Sequence, residues 1–151
     1  MSSPLRTIED YELFLYTLKQ QFKSITHSTV ILTRRGAFLA RVSGELQFDH
    51  GIKLIVRERI LYHRLPVVID EYGYEVWYGK EKLFWYDAQP HPDDPTLQKT
   101  YPHHKHIQPN IKTNRVPAPG NSFNSPNLPG LIREIESVIE KIEKDTESKR
   151  G

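Results

Sequence analysis

Eight of the eleven prolines in this 151-residue chain fall between residues 88 and 127. Proline fixes φ and has no amide donor, so it is kept out of helix interiors and the middle of sheets. Long helices and central strands must therefore lie before residue 88 or after residue 127. The forty residues between are expected to form one irregular functional loop. A segment of that length without regular structure is either functional or a linker. Trp85, Tyr86, Tyr101, Ile107, Ile111, Val116 and Phe123 lie in or beside it and favour a loop pinned across the domain.

The flanking segments carry ordinary patterns. Ile8, Tyr11, Leu15, Leu18 and Phe22 recur at helical spacing and predict a helix over residues 7–23, with Thr7 as its cap. Residues 28–87 read as an antiparallel meander. Ile52, Leu54 and Val56 alternate with Lys53, Ile55 and Arg57, and Asp49-His50-Gly51 supplies a turn. Leu128, Leu131, Ile132, Ile135, Val138, Ile139 and Ile142 mark one face of a second helix over residues 127–145. The expected fold is a single α+β domain spanning residues 1–151. A four- to five-stranded antiparallel meander is flanked by N- and C-terminal helices, with the long proline- and histidine-rich loop at 88–127 over one face. That layout resembles small ribonuclease toxins.

Bulk properties narrow the class further. The chain has no cysteine, which excludes disulfides and thiolate metal sites. No apolar run approaches the ~20 residues that cross a bilayer, and the first residues lack the apolar stretch of a signal peptide. A cytoplasmic protein without a membrane partner is expected. The net charge of +2 is too small to announce nucleic-acid binding. Its distribution says more. From Thr96 to Pro129 there is no Asp or Glu, while Lys99, Lys105, Lys112 and Arg115 are all basic. A segment kept free of acids suits an anion such as phosphate.

Within that span lies Tyr101-Pro102-His103-His104-Lys105-His106. Imidazole is the side chain most easily protonated and deprotonated near neutral pH. On an extended chain His103 and His104 point apart, whereas His104 and His106 share a face. Cleaving RNA requires a base for the 2′-hydroxyl proton, an acid for the leaving oxygen and a cation for the developing charge. The candidate catalytic residues are His103, His104 and His106, with His104 and His106 as the proton-transfer pair and Asp87 orienting an imidazole. Lys105, Lys112, Arg115, Tyr86 and His91 are the candidate substrate-binding residues. Arg57-Glu58-Arg59 and Arg34-Arg35 read as sheet-surface charges. No cofactor or metal ion is assigned. A metal-dependent hydrolase using His91 with the cluster stays open, because imidazoles plus a carboxylate can ligate zinc or manganese.

Trp85-Tyr86-Asp87, Pro90-His91 and Pro102-His103-His104-Lys105-His106, in that order, resemble the TumE-like toxin family of prokaryotic toxin–antitoxin modules. The hairpin around Leu46–Gly51 and Leu54–Glu58 adds to the resemblance. The tail from Ile107 to Gly120 is similar to a cyanobacterial branch of that family. The resemblance implies a small cytoplasmic toxin, a cognate antitoxin partner and an activity directed at RNA. The resulting expectation is a toxin acting as a metal-independent ribonuclease through its histidine cluster. A non-catalytic module binding nucleic acid or protein, and a homodimer, remain open.

Overall fold

The computed structural model describes residues 3–88, 103–108, 115–118 and 120–150. Its first helix is shorter than expected. Helix α1 covers Ile8–Tyr16 and α2 covers Leu18–Gln21. The break falls at Thr17, whose hydroxyl donates to the Leu13 carbonyl at 2.7 Å. Back-bonding of this kind competes with the helical ladder. Thr7 caps α1 as expected, its Oγ1 accepting from the Asp10 amide at 3.0 Å.

Among the described residues eight strands follow rather than four or five: β1 (His27–Ser28), β2 (Ile31–Arg35), β3 (Leu39–Gln47), β4 (Ile52–Leu61), β5 (Val68–Tyr78), β6 (Glu81–Asp87), β7 (His104–Ile107) and β8 (Arg115–Pro117). The sheet is antiparallel throughout, in the order β1-β3-β4-β5-β6-β7-β8, and β2 pairs β3 beside β1. Strands β1 and β2 are one edge broken at Thr29. There Gly44 of β3, at φ 140, comes so close that a Cβ would meet the Thr29 carbonyl at 2.5 Å. The expectation of one irregular loop over 88–127 is corrected at 104–107 and 115–117, where β7 and β8 extend the sheet, while the described residues 120–127 carry neither helix nor strand. Proline density did not forbid this. Pro117 ends the outermost described strand, where no further neighbour among the described residues needs its missing amide. Helix α3, Leu128–Arg150, closes the described chain. Pro129 falls in its first turn, where the missing donor costs nothing.

Alternation assigns two faces to the sheet. The inner face carries Ala40, Val42 and Leu46 from β3, Leu54, Val56 and Ile60 from β4, and Tyr74 and Val76 from β5, all fully buried. Leu15 and Leu18 from the N-terminal helices and Ile132 and Ile135 from α3 join the same core. One acid belongs to this face. Glu58 is 3% exposed and accepts hydrogen bonds from the hydroxyls of Tyr11 and Tyr74. Asn127, just before α3, donates from Nδ2 to the Tyr74 hydroxyl at 3.1 Å. Burial raises the Glu58 carboxyl above its ordinary range despite the two hydroxyl donors, and it raises both phenols as well. The network joins α1, β4, β5 and the start of α3. The outer face carries the remaining alternation: Arg41 and Ser43, Arg57 and Arg59, Glu71, Gly73, Glu75 and Trp77.

Candidate functional site

Strand register brings Asp87, His104 and His106 together. Asp87 ends β6 and pairs with His104 of β7, while Trp85 pairs with His106. Alternation puts Asp87, Trp85, His104 and His106 on the outer face. Asp87 is 8% exposed, His104 1% and His106 3%. One oxygen or nitrogen from each lies within 4.8 Å of the others. His104 Nε2 sits against Asp87 Oδ1 and 3.1 Å from His106 Nε2. His106 Nε2 is 3.6 Å from Asp87 Oδ2. The Trp85 ring backs His106 at a centroid distance of 4.2 Å. Burial alone would raise the Asp87 carboxyl. Contact with His104, then His106, overrides it and holds the group well below the usual carboxylate range.

A cleft of about 350 Å³ opens beside this centre, and Asp87 forms part of its wall with Arg41, Arg57, Arg59, Gly73 and Trp85. The register makes one continuous row across the outer face: Ser43, Arg57, Gly73, Asp87, His104, Pro117. Gly73 is what lets Arg57 lie along that row. A Cβ there would stand 2.7 Å from an Arg57 guanidinium nitrogen and 3.2 Å from Cζ. Arg59 is committed to Asp70, with Nε to Oδ2 at 2.7 Å, and to Glu71 at 3.5 Å. Arg41 and Arg57 form no ion pair with a described carboxylate and lie exposed on the cleft wall. The cleft is thus cationic at one side and reaches the Asp87 carboxylate at the other, with the buried His104 and His106 in contact with that carboxylate.

This arrangement yields a prediction. Gly73→Ala should leave the melting temperature nearly unchanged, because the obstructing atoms are the flexible end of Arg57. It should displace the guanidinium and lower any anion-dependent activity by roughly 10- to 10²-fold. Thermal melts beside phosphate or RNA binding would check it. Equal losses of fold and binding would contradict it.

Other candidates from the sequence lie elsewhere. His103 is on the inner face. Its Nδ1 meets the Tyr72 hydroxyl at 2.6 Å, and its ring stacks on Tyr72 at 5.7 Å and packs against Phe123 at 4.5 Å. Lys105 is also inner, 3.5 Å from Glu134 of α3 and 4.2 Å from the Phe84 ring. Tyr86 is buried there and donates to Glu134 at 2.8 Å. Adjacency in sequence suggested one cluster, but the pleat separates His103, Lys105 and Tyr86 from Asp87, His104 and His106 by the thickness of the sheet. Arg115 pairs with His106 through the backbone of β8, and its side chain is outside the described part. His91 and Lys112 lie outside the described residues.

In the sequence Arg57 reads as an ordinary sheet-surface charge, and Arg41 is not singled out. A signal did exist. Gly73 interrupts the aromatic run Tyr72–Tyr78, and an isolated glycine within a strand marks a close approach.

No curated protein and no solved structure matches the chain. Among the described residues no helix is long and apolar enough to cross a membrane. A family model does match: the one described as toxin TumE spans residues 14–146. The chain therefore belongs to the TumE toxin family, which makes it the toxin of a toxin–antitoxin pair and implies a cognate antitoxin.

Proposed function

We propose that this toxin cleaves RNA in the cleft between Arg57 and the Asp87/His104/His106 centre. The observation that carries the reading is the cross-strand row in which the Arg57 guanidinium, laid over Gly73 and without an ion pair among the described residues, lies beside a buried carboxylate in contact with two imidazoles. Guanidinium matches a phosphodiester in charge and fork geometry. Arg41 and Arg57 would hold the phosphate and offset charge growing on its oxygens. The imidazole–carboxylate centre would take the 2′-hydroxyl proton. The 2′-oxygen then bonds to phosphorus, the bond from phosphorus to the 5′-oxygen breaks, and the 5′-oxygen leaves with that electron pair and picks up a proton. The products are a 2′,3′-cyclic phosphate and a 5′-hydroxyl.

The division of labour differs from the one expected of two histidines. An acid and a base must reach different oxygens of one phosphorus, each at about 2.6–3.2 Å. Two nitrogens 3.1 Å apart leave no room for a phosphate between them. His104 and His106 therefore act as one centre rather than as opposed acid and base. On the outer face, Trp77 and Trp85 lie under the ammonium of Lys82 at 5.4 and 4.5 Å. Such rings can stack unpaired bases near the cleft.

The test is cleavage of single-stranded RNA by purified protein, with a 2′-deoxy strand as control. Arg57→Ala is expected to reduce cleavage by roughly 10²-fold. Lys105→Ala, on the other face, should stay within about twofold. Cleavage of both strands, or equal loss from the two variants, would reject the reading. RNA binding that weakens steeply with salt, without turnover, would favour a non-catalytic binding module instead.

A further inference from the structure

We infer that Asp87, His104 and His106 form a binding site for a single divalent transition-metal ion, with zinc the best fit. The protons available to the three side chains point to it. A neutral imidazole nitrogen either donates one hydrogen or accepts one, and an ionised carboxylate only accepts. His104 Nε2 touches two partners at once, Asp87 Oδ1 and His106 Nε2. Its single hydrogen can serve one of them. If both Nε2 atoms are protonated, two N–H groups face each other 3.1 Å apart. If neither is, three lone-pair atoms crowd together inside the protein. Asp87 Oδ1, buried against His104 Nε2, has no hydrogen-bond partner among the described residues. Such an orphan costs on the order of 1–3 kcal/mol.

A cation at the point of convergence removes every one of these conflicts, because it takes lone pairs from all three residues. The spacing agrees. With zinc–nitrogen bonds of ~2.0–2.1 Å, two nitrogens on one ion stand ~3.0–3.4 Å apart, and these stand 3.1 Å apart. Nitrogen and oxygen donors suit zinc and its neighbours rather than calcium or magnesium. Three protein ligands leave further coordination positions open, as catalytic zinc sites do. Asp87, on the cleft wall, puts the ion at its edge. The sequence reading assigned no metal, and its metal-bearing alternative leaned on His91. The trio here needs neither His91 nor His103.

The ion's part in catalysis rests on the RNA-cleavage reading, whereas its binding does not. A bound water whose pKa falls toward ~7 would supply the hydroxide that takes the 2′-hydroxyl proton and becomes water again. Zinc would neither gain nor lose electrons.

The experiment uses the full chain made without a histidine tag, stripped of metal and titrated with Zn²⁺ against a chromogenic chelator and with Co²⁺ by visible absorption. One ion per chain is expected, with cobalt bands of a nitrogen–oxygen site. Asp87→Asn, His104→Gln and His106→Gln should each weaken binding beyond the ~10–100-fold that outer-shell changes cost. His50→Ala and Lys105→Ala should bind as wild type does. Circular dichroism would identify any variant that fails to fold, and the three substitutions provide independent chances. Absence of saturable binding, or binding unchanged in folded His104→Gln and His106→Gln, would overturn the site. Equal RNA cleavage by metal-free and metal-loaded protein would overturn the ion's catalytic part. Zinc bound at this site while RNA stays intact would uphold the centre and sink the cleavage reading alone.

Discussion

His104→Ala is expected to abolish RNA cleavage to within measurement, a loss of at least ~10³-fold, and to remove growth arrest on expression. The size follows from position. His104 Nε2 contacts both other members of the centre, so its loss leaves Asp87 and His106 with only their 3.6 Å approach to each other. A group acting only in proton transfer contributes ~10²–10⁴-fold. Its neighbour gives the control. His103 stands one residue earlier on the other face, against Tyr72 and Phe123. His103→Phe keeps a flat ring there and should retain activity within a few-fold while costing about 1 kcal/mol for the lost hydroxyl contact. Cleavage rates and melts of the two variants settle it. Comparable losses of activity would show that the faces are not chemically distinct and would remove the basis for the centre.

Glu58→Ala should produce the largest change in stability, roughly 3–5 kcal/mol, because it leaves the Tyr11 and Tyr74 hydroxyls buried without their acceptor. Glu58→Gln is the sharper test. It keeps the volume and removes the ionisation. Burial raises the folded-state pKa of Glu58 above its unfolded value of ~4.3. Its contribution is therefore fully present below that unfolded value and is lost as pH rises through the folded value. The melting temperature of Glu58→Gln relative to wild type should improve as pH goes from about 4 to 8. Denaturation at both ends of that range measures the slope. A difference that stays flat, or that falls with rising pH, would mean Glu58 is not held against its ionisation.

Local patterns conveyed much of this fold and only part of its centre. The alternation of Ile52, Leu54 and Val56 announced β4, and the stripe from Leu128 to Ile142 announced α3, since both report burial within a few residues. The i, i+2 spacing of His104 and His106 sufficed to put them on one face. Which face was beyond local reading, because β6 and β7 are joined only through the long proline-bearing stretch and pair by register. The same limit explains Lys105 and Tyr86. Each meets Glu134, which lies some thirty to fifty positions further along the chain. Arg57 looked like any sheet-surface cation, and its reach depends on a glycine sixteen positions away on the next strand. Proline density was overread: it forbids central strands but tolerates an outermost one, which is where Pro117 sits.

The order of the strands also orders events during synthesis. The arginine-bearing strands β3 and β4 leave the ribosome well before β7. A half-made chain can hence present its cationic surface while Asp87 still waits for both imidazoles. On the cleavage reading proposed above, the complete centre is assembled only once the outer strands have emerged.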